Sequence, residues 1–187
     1  LYTMGGLLFM NAVLQIVITP LLNRMMDAEQ LGGLLYITGL VAIICPSIGQ
    51  ALNNSRLVVR RDFDVTNGDY DWLLLGFGLI GSIVALFMSG KSLESPLMAA
   101  GVFLMFMLTV FRYYGDVEYR LNLNYRRYFI YYFLIGIGYL AGFGIYRLTG
   151  QWVWIYLIGE AAALALVGVT GNIFHQFFRR SEFFTTA

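Results

Sequence analysis

Apolar residues in this chain come in six long runs, at roughly 3–22, 32–54, 72–89, 96–114, 128–148 and 152–175. Each is close to the ~20 residues an α-helix needs to cross ~30 Å of hydrocarbon. Backbone N–H and C=O groups in lipid must be satisfied within the segment, so the runs predict helices. The expected fold is an all-α membrane protein: one six-transmembrane-helix bundle spanning 1–187. Short connections favour antiparallel neighbours, and two connectors, 55–71 and 115–127, are longer and charged.

Cations are distributed unevenly between the two ends of these runs. Arg56, Arg60, Arg61, Arg112, Arg120, Arg126, Arg127, Arg179 and Arg180 fall on one side, and only Arg24, Lys91 and Arg147 on the other. Positive charge is retained in the cytosol, so both termini are expected to be cytoplasmic. Aromatic clusters at Tyr125, Tyr128, Tyr131 and Tyr132, and at Trp152, Trp154 and Tyr156, read as headgroup-level anchors. Gly138 and Gly142 form a small-xxx-small pair, with Gly136 and Gly144 nearby; with Gly76, Gly78 and Gly81 they read as helix-packing positions.

Polar groups inside the runs carry the functional signal. Asn11, Gln15 and Thr19 are spaced four apart. At about 100° per residue that spacing drifts only about 40° per step, giving one polar stripe. Pro20 loosens the outer turn of the helix. The second run ends with Ser47, Gln50, Asn53, Asn54 and Arg56. Interhelical hydrogen bonding and a hydrated cavity both account for these residues. Glu160 is the only acid in the middle of an apolar run. A mid-membrane carboxylate costs about 2.5–3.5 kcal/mol to insert, so a partner or a function is expected. Gln15, Asn11 and Tyr156 are the candidate partners, and protonation would also lower the cost.

Composition narrows the chemistry. The chain is 59% hydrophobic and 12% charged, with a net charge of +1, and its mean hydropathy is +0.70. No basic surface points to nucleic acid. Cys45 is alone and reads as a buried packing residue, and His175, the single histidine, as an interfacial polar group. No metal site is expected. The stretch from Ala85 to Ser92 fits a loose phosphate-loop pattern, but it lacks the strand, turn and helix that make such a loop work. The acids from Asp62 to Asp71 lack the register of a calcium loop and read as a solvated linker with an Asn-Gly turn. Asn53 opens a formal glycosylation acceptor, but at the predicted cytoplasmic edge. No catalytic set and no cofactor motif is visible, and the expectation is a protein that is not an enzyme. No basic segment precedes a short apolar core, so no cleavable signal peptide is expected. The opening at Leu1 without Met reads as an incomplete N-terminus or a fragment.

Gly6 through Asn11, followed by Thr19, Pro20, Arg24, Glu29, Gly32 and Tyr36, resembles the opening of lipid-linked oligosaccharide flippases. These form the polysaccharide-export branch of the multidrug/oligosaccharidyl-lipid/polysaccharide exporters. Gly49, Gln50, Ala51 and Leu52, before an arginine-bearing linker, look like that family's second helix. The basic, tyrosine-rich stretch from Arg120 to Tyr132 resembles the entry to its fifth. The chain departs from the pattern at Met25 and Met26, where Leu-Gly is common, and at Gly33, where a Phe-Gly step is displaced by one.

The resemblance implies one lobe of a two-lobed transporter in the cytoplasmic membrane. Its expected activity is alternating-access movement of an undecaprenyl-pyrophosphate sugar between leaflets. The expected partners are membrane lipid, the lipid-linked oligosaccharide, and a second lobe or a homo- or hetero-oligomeric neighbour. Arg24 at the outer gate and Arg56 at the inner mouth are expected to hold phosphate. Asn11, Gln15 and Gln50 are expected to contact sugar hydroxyls, and Glu160 to couple the cycle to a cation or proton. The alternatives are a six-helix substrate-capture subunit of a vitamin importer, an assembly subunit of a larger membrane complex, and a membrane enzyme.

Overall fold

The structure is a computed structural model that describes residues 2–62, 67–93, 95–121 and 123–170. All regular structure among them is helical: α1 (Tyr2–Ala12), a π-helical segment (Val13–Ile18), α2 (Thr19–Met25), α3 (Ala28–Asp62), α4 (Asn67–Ser89), α5 (Pro96–Leu121), α6 (Tyr125–Thr149) and α7 (Val153–Thr170). A short 3₁₀ turn (Gly90–Ser92) follows α4. Together α1, the π segment and α2 form the first span, and 6 spans are long and apolar enough to cross a membrane. The protein is a multi-pass membrane protein with a six-helix bundle, as the apolar runs predict.

Local chemistry sets the helix ends. Asp27 Oδ1 accepts the Gln30 N–H at 2.8 Å and caps α3. Ser95 does the same for Met98 at 3.2 Å, with Pro96 in the first helical position. Asn124 caps α6 by accepting from Arg127 N. Gly150 ends α6 at φ 74°, a left-handed conformation that glycine adopts without strain, and its N–H bonds the Tyr146 carbonyl.

Two of the predicted connectors shorten. The 55–71 stretch is mostly helix: α3 continues to Asp62 and α4 starts at Asn67. Asp69 and Asp71, read as solvated linker acids, are buried in the first turns of α4. At the other connector α5 extends to Leu121. Arg112 therefore sits inside a helix rather than at its end. The C-terminal end of the sixth run, with His175, Arg179 and Arg180, lies outside the described residues.

The helices form an open arc. α1 rests on α6, α6 packs on α7, α7 on α5, and α5 on both α3 and α4, while α3 and α4 form an antiparallel pair. α1 and α3, at the two ends of the arc, are not among the closely packed pairs. Gly138 and Gly142 make the α6–α7 contact as predicted: a Cβ on Gly138 would lie 2.7 Å from Gly159 Cα, and one on Gly142 would meet the backbone of Trp154 and Ile155. Gly136 receives the Phe9 ring from α1 and Gly81 the Ile48 side chain from α3, whereas Gly76 and Gly144 face open space. Phe87, Leu148, Ile43 and Ile16 point outward as a lipid-facing surface requires.

Candidate functional site

Between α1 and α3 the arc encloses a cavity of about 590 Å³. Its α1 wall carries Met10, Asn11, Gln15 and Thr19, and its α3 wall Leu34, Leu35, Thr38, Val41 and Ala42. The back is built from Thr109, Arg112 and Tyr113 of α5, Tyr132 and Tyr139 of α6, and Tyr156 and Glu160 of α7. The sequence-predicted stripe of Asn11, Gln15 and Thr19 thus faces the predicted acid across one space.

Local irregularities shape both walls. Pro20 has no N–H to continue the ladder, and the turn before it relaxes into the π segment. The Thr19 hydroxyl donates to the Leu14 carbonyl at 2.8 Å, a second bond beside the one that this carbonyl accepts from the Thr19 backbone N–H. On the facing wall Pro46 lies inside α3. It cannot donate to the carbonyl of Ala42, which lines the cavity. Proline therefore disrupts the backbone ladder in both walls.

The centre of the back wall is an ion pair. Arg112 Nε lies 2.9 Å from Glu160 Oε2. The N–H is not aligned on that oxygen, so charge rather than a directed hydrogen bond holds the contact. Tyr139 donates its hydroxyl to Glu160 Oε1 at 3.2 Å, while the Thr109 hydroxyl donates to the Met105 carbonyl at 2.7 Å. The guanidinium lies over the Tyr113 ring, 4.6 Å from its centroid, with Nη1 3.8 Å from Met10 Sδ. Glu160 is 2% exposed and Arg112 10%. Each charge would cost about 2.5–3.5 kcal/mol alone at mid-membrane, so each offsets the other's insertion cost. The partners expected for Glu160 were Gln15, Asn11 and Tyr156. All three line the same cavity, but Arg112 and Tyr139 hold the carboxylate.

A second polar cluster joins α3, α4 and α5. Arg56 is buried: Nη1 donates to the Tyr114 hydroxyl at 3.1 Å, Nη2 to Asn53 Oδ1 at 3.2 Å, and its guanidinium carbon sits 4.6 Å from the Tyr114 ring centroid. Asn53 Nδ2 donates to the carbonyls of Tyr113 and Tyr114 at 2.8 and 3.1 Å. Tyr70 of α4 shares a 3.1 Å hydrogen bond with Ser55 of α3. Arg56 therefore stands outside the cavity lining, as do Arg24, exposed in the last turn of α2, and Gln50, exposed on α3.

Sequence reasoning missed Arg112 and the tyrosines. Tyr128, Tyr131 and Tyr132 turn inward rather than toward headgroups. The Tyr131 hydroxyl donates to the Arg112 carbonyl at 3.0 Å and that of Tyr132 to Asp116 Oδ2 at 2.9 Å. The signal was present in the spacing: Thr109, Arg112, Asp116 and Tyr119 lie three or four apart on α5, a polar stripe inside an apolar helix.

At the end of the bundle that carries the α2–α3, α4–α5 and α6–α7 turns lies a second concavity of about 440 Å³, lined by Asp27, Glu29, Gln30, Gly33, Ser92, Met98 and Trp152. No metal-binding group of His, Cys, Asp or Glu occurs among the described residues. No protein-family model, no curated protein and no solved structure matches the chain.

Proposed function

We propose that this chain is one lobe of a transporter that moves a lipid-linked oligosaccharide across the cytoplasmic membrane by alternating access. The observation that carries the reading is the cavity between α1 and α3, with polar side chains on one wall and an ion pair at its back. A helix bundle that served only as scaffold gains nothing from inserting two charges beside an unfilled space. An amphiphile suits such a space: its polar head sits against Asn11, Gln15 and the ion pair, and its chains stay in lipid.

A second lobe, from the same polypeptide or another, faces the open side between α1 and α3. With Arg112 inside α5, the remaining eight cations against three still support cytoplasmic termini, an orientation in which the second concavity is on the outer side. Arg24, at the end of α2, stands near that outer end. No bond is made or broken in this cycle, so the residues bind and reposition rather than catalyse.

The test is reconstitution of the purified protein, with its copurifying membrane partners, into vesicles holding a fluorescent polyprenyl-pyrophosphoryl oligosaccharide. Transfer between leaflets, read with an impermeant quencher, should exceed that of protein-free vesicles. It should fall when Asn11 and Gln15 are both replaced by Leu. Transfer no faster than in protein-free vesicles would remove the transporter reading.

A further inference from the structure

The ion pair leaves most of the guanidinium unused. An arginine presents five N–H donors in a planar fork that matches carboxylate or phosphate two bonds at a time. Here the closest approach of Glu160 is to the inner nitrogen, Nε, off its N–H axis. Among the described residues Nη1 finds only a thioether sulfur, a weak acceptor, and Nη2 makes no hydrogen bond. Nη1 is directed at Met10, which lines the cavity together with Arg112.

The surroundings hold the fork in place. Tyr113 supports one face of the guanidinium, and the Arg112 carbonyl is bonded by Tyr131 on α6. The groups that face Glu160 are Arg112 from α5 and Tyr139 from α6, with Thr109 of α5, Tyr132 of α6, Tyr156 of α7, Asn11 of α1 and Gln15 of the π segment lining the same space. Among these described residues Arg112 is the single cation and Glu160 the single acid.

We infer that Arg112 is an anion site for the headgroup of an amphiphile in this cavity, and that Glu160 is a built-in stand-in anion that the headgroup displaces. The inference deepens the transporter reading by naming the group that holds the substrate's charge. The ligand chemistry is a phosphate or pyrophosphate monoester, which takes the outer fork in two parallel charge-assisted bonds. In the empty cavity Glu160 neutralises the cation, so the site stays compatible with the membrane. On binding, the phosphate takes over that role, and the carboxylate keeps its bond from Tyr139. Glu160 therefore opposes binding, which a carboxylate that ligates the substrate would not do.

The test is calorimetric titration of the protein in phosphatidylcholine nanodiscs with three probes: dioctanoyl phosphatidate, dioctanoylglycerol and inorganic pyrophosphate. Phosphatidate should bind, and the neutral glycerolipid should bind at least about tenfold more weakly, the effect of losing a charge-assisted pair. Binding of pyrophosphate alone with the same Arg112 dependence would assign the site to a free anion; with phosphatidate binding as well, it assigns it to the headgroup. Arg112→Gln should abolish the preference, whereas Glu160→Gln should strengthen phosphatidate binding about tenfold, because the competing anion is gone.

The double variant, Arg112→Gln with Glu160→Gln, retains shape without charge and should fold and bind neither anion. If Glu160→Gln does not fold, Glu160→Asp serves in its place. Its shorter carboxylate recedes from Nε, and it too should bind phosphatidate more tightly. Equal binding of charged and neutral lipid by the parent, or weaker phosphatidate binding by the Glu160 variant, overturns the inference. Anion binding without leaflet transfer leaves the site standing and removes the transporter reading, and transfer that is indifferent to Arg112 does the reverse.

Discussion

Arg56 lies against the ring of Tyr114 and donates to that residue's hydroxyl at 3.1 Å, so one side chain of α3 grips α5 in two ways. Asn53, one turn earlier, bonds both Arg56 and the α5 backbone. The cluster is enclosed, lies outside the cavity lining apart from the Asn53 bond to the Tyr113 carbonyl, and joins three helices. Arg56→Ala should therefore lower stability by about 3 kcal/mol, the scale for breaking a buried charged network. Thermal unfolding in detergent checks this. Protein that remains folded should keep its affinity for the amphiphile.

The Arg112–Glu160 pair should respond differently. Glu160→Gln should reduce leaflet transfer at least about tenfold without loss of expression, because a headgroup held too tightly leaves slowly. Vesicle transfer rates normalised to inserted protein measure it. Unchanged transfer would remove Glu160 from the mechanism.

The α6–α7 seam offers a packing test. Gly142 faces the backbone of Trp154 and Ile155 with no room for a Cβ, whereas Gly144, two residues on, faces open space. Gly142→Val should destabilise by about 1–3 kcal/mol or more, the cost of overpacking. Gly144→Ala should be close to neutral. Denaturant titration of the two variants side by side is the comparison.

Water access separates the cavity from the lipid face. Cys45 is fully buried, so thiol labelling of the parent should be silent. Gln15→Cys and Thr38→Cys line the cavity and should react with a small hydrophilic maleimide. Ile83→Cys, exposed on α4 and outside that lining, should not. Equal labelling of all three would mean that the walls are not wet.

Sidedness has its own check. Leu123 lies in the α5–α6 turn and Gln151 in the α6–α7 turn, at opposite ends of α6. Leu123→Cys should be labelled only after the membrane is made permeable, and Gln151→Cys from outside intact cells. The reverse result would invert the assigned topology.

The existence of six spans was legible because length and hydropathy alone decide whether a helix can sit in lipid. Asn11, Gln15 and Glu160 were legible for the same reason: a polar side chain in an apolar run is costly enough to stand out. Arg112 was not. Its run of apolar residues stops beside it, so it read as an end-of-helix cation, and only the continuation of α5 to Leu121 places it inside. Asp69 and Asp71 were misread in the same way, since a cluster of acids reads as solvated until their burial against neighbouring helices is seen. The tyrosines of α6 share the ambiguity of every amphipathic ring, which suits a headgroup layer and a buried polar contact equally. Packing resolves that choice, and packing is a property of pairs of helices.

α3 has 35 residues, a rod of about 52 Å, against a hydrocarbon slab of about 30 Å. Pro46 sits near its midpoint, where the backbone ladder has lost a rung. A swing of ten degrees there would carry the Ala28 end sideways by about 5 Å, close to one helix radius. A small angular change deep in the bilayer thus becomes a displacement at the surface large enough to open or shut the gap beside α1.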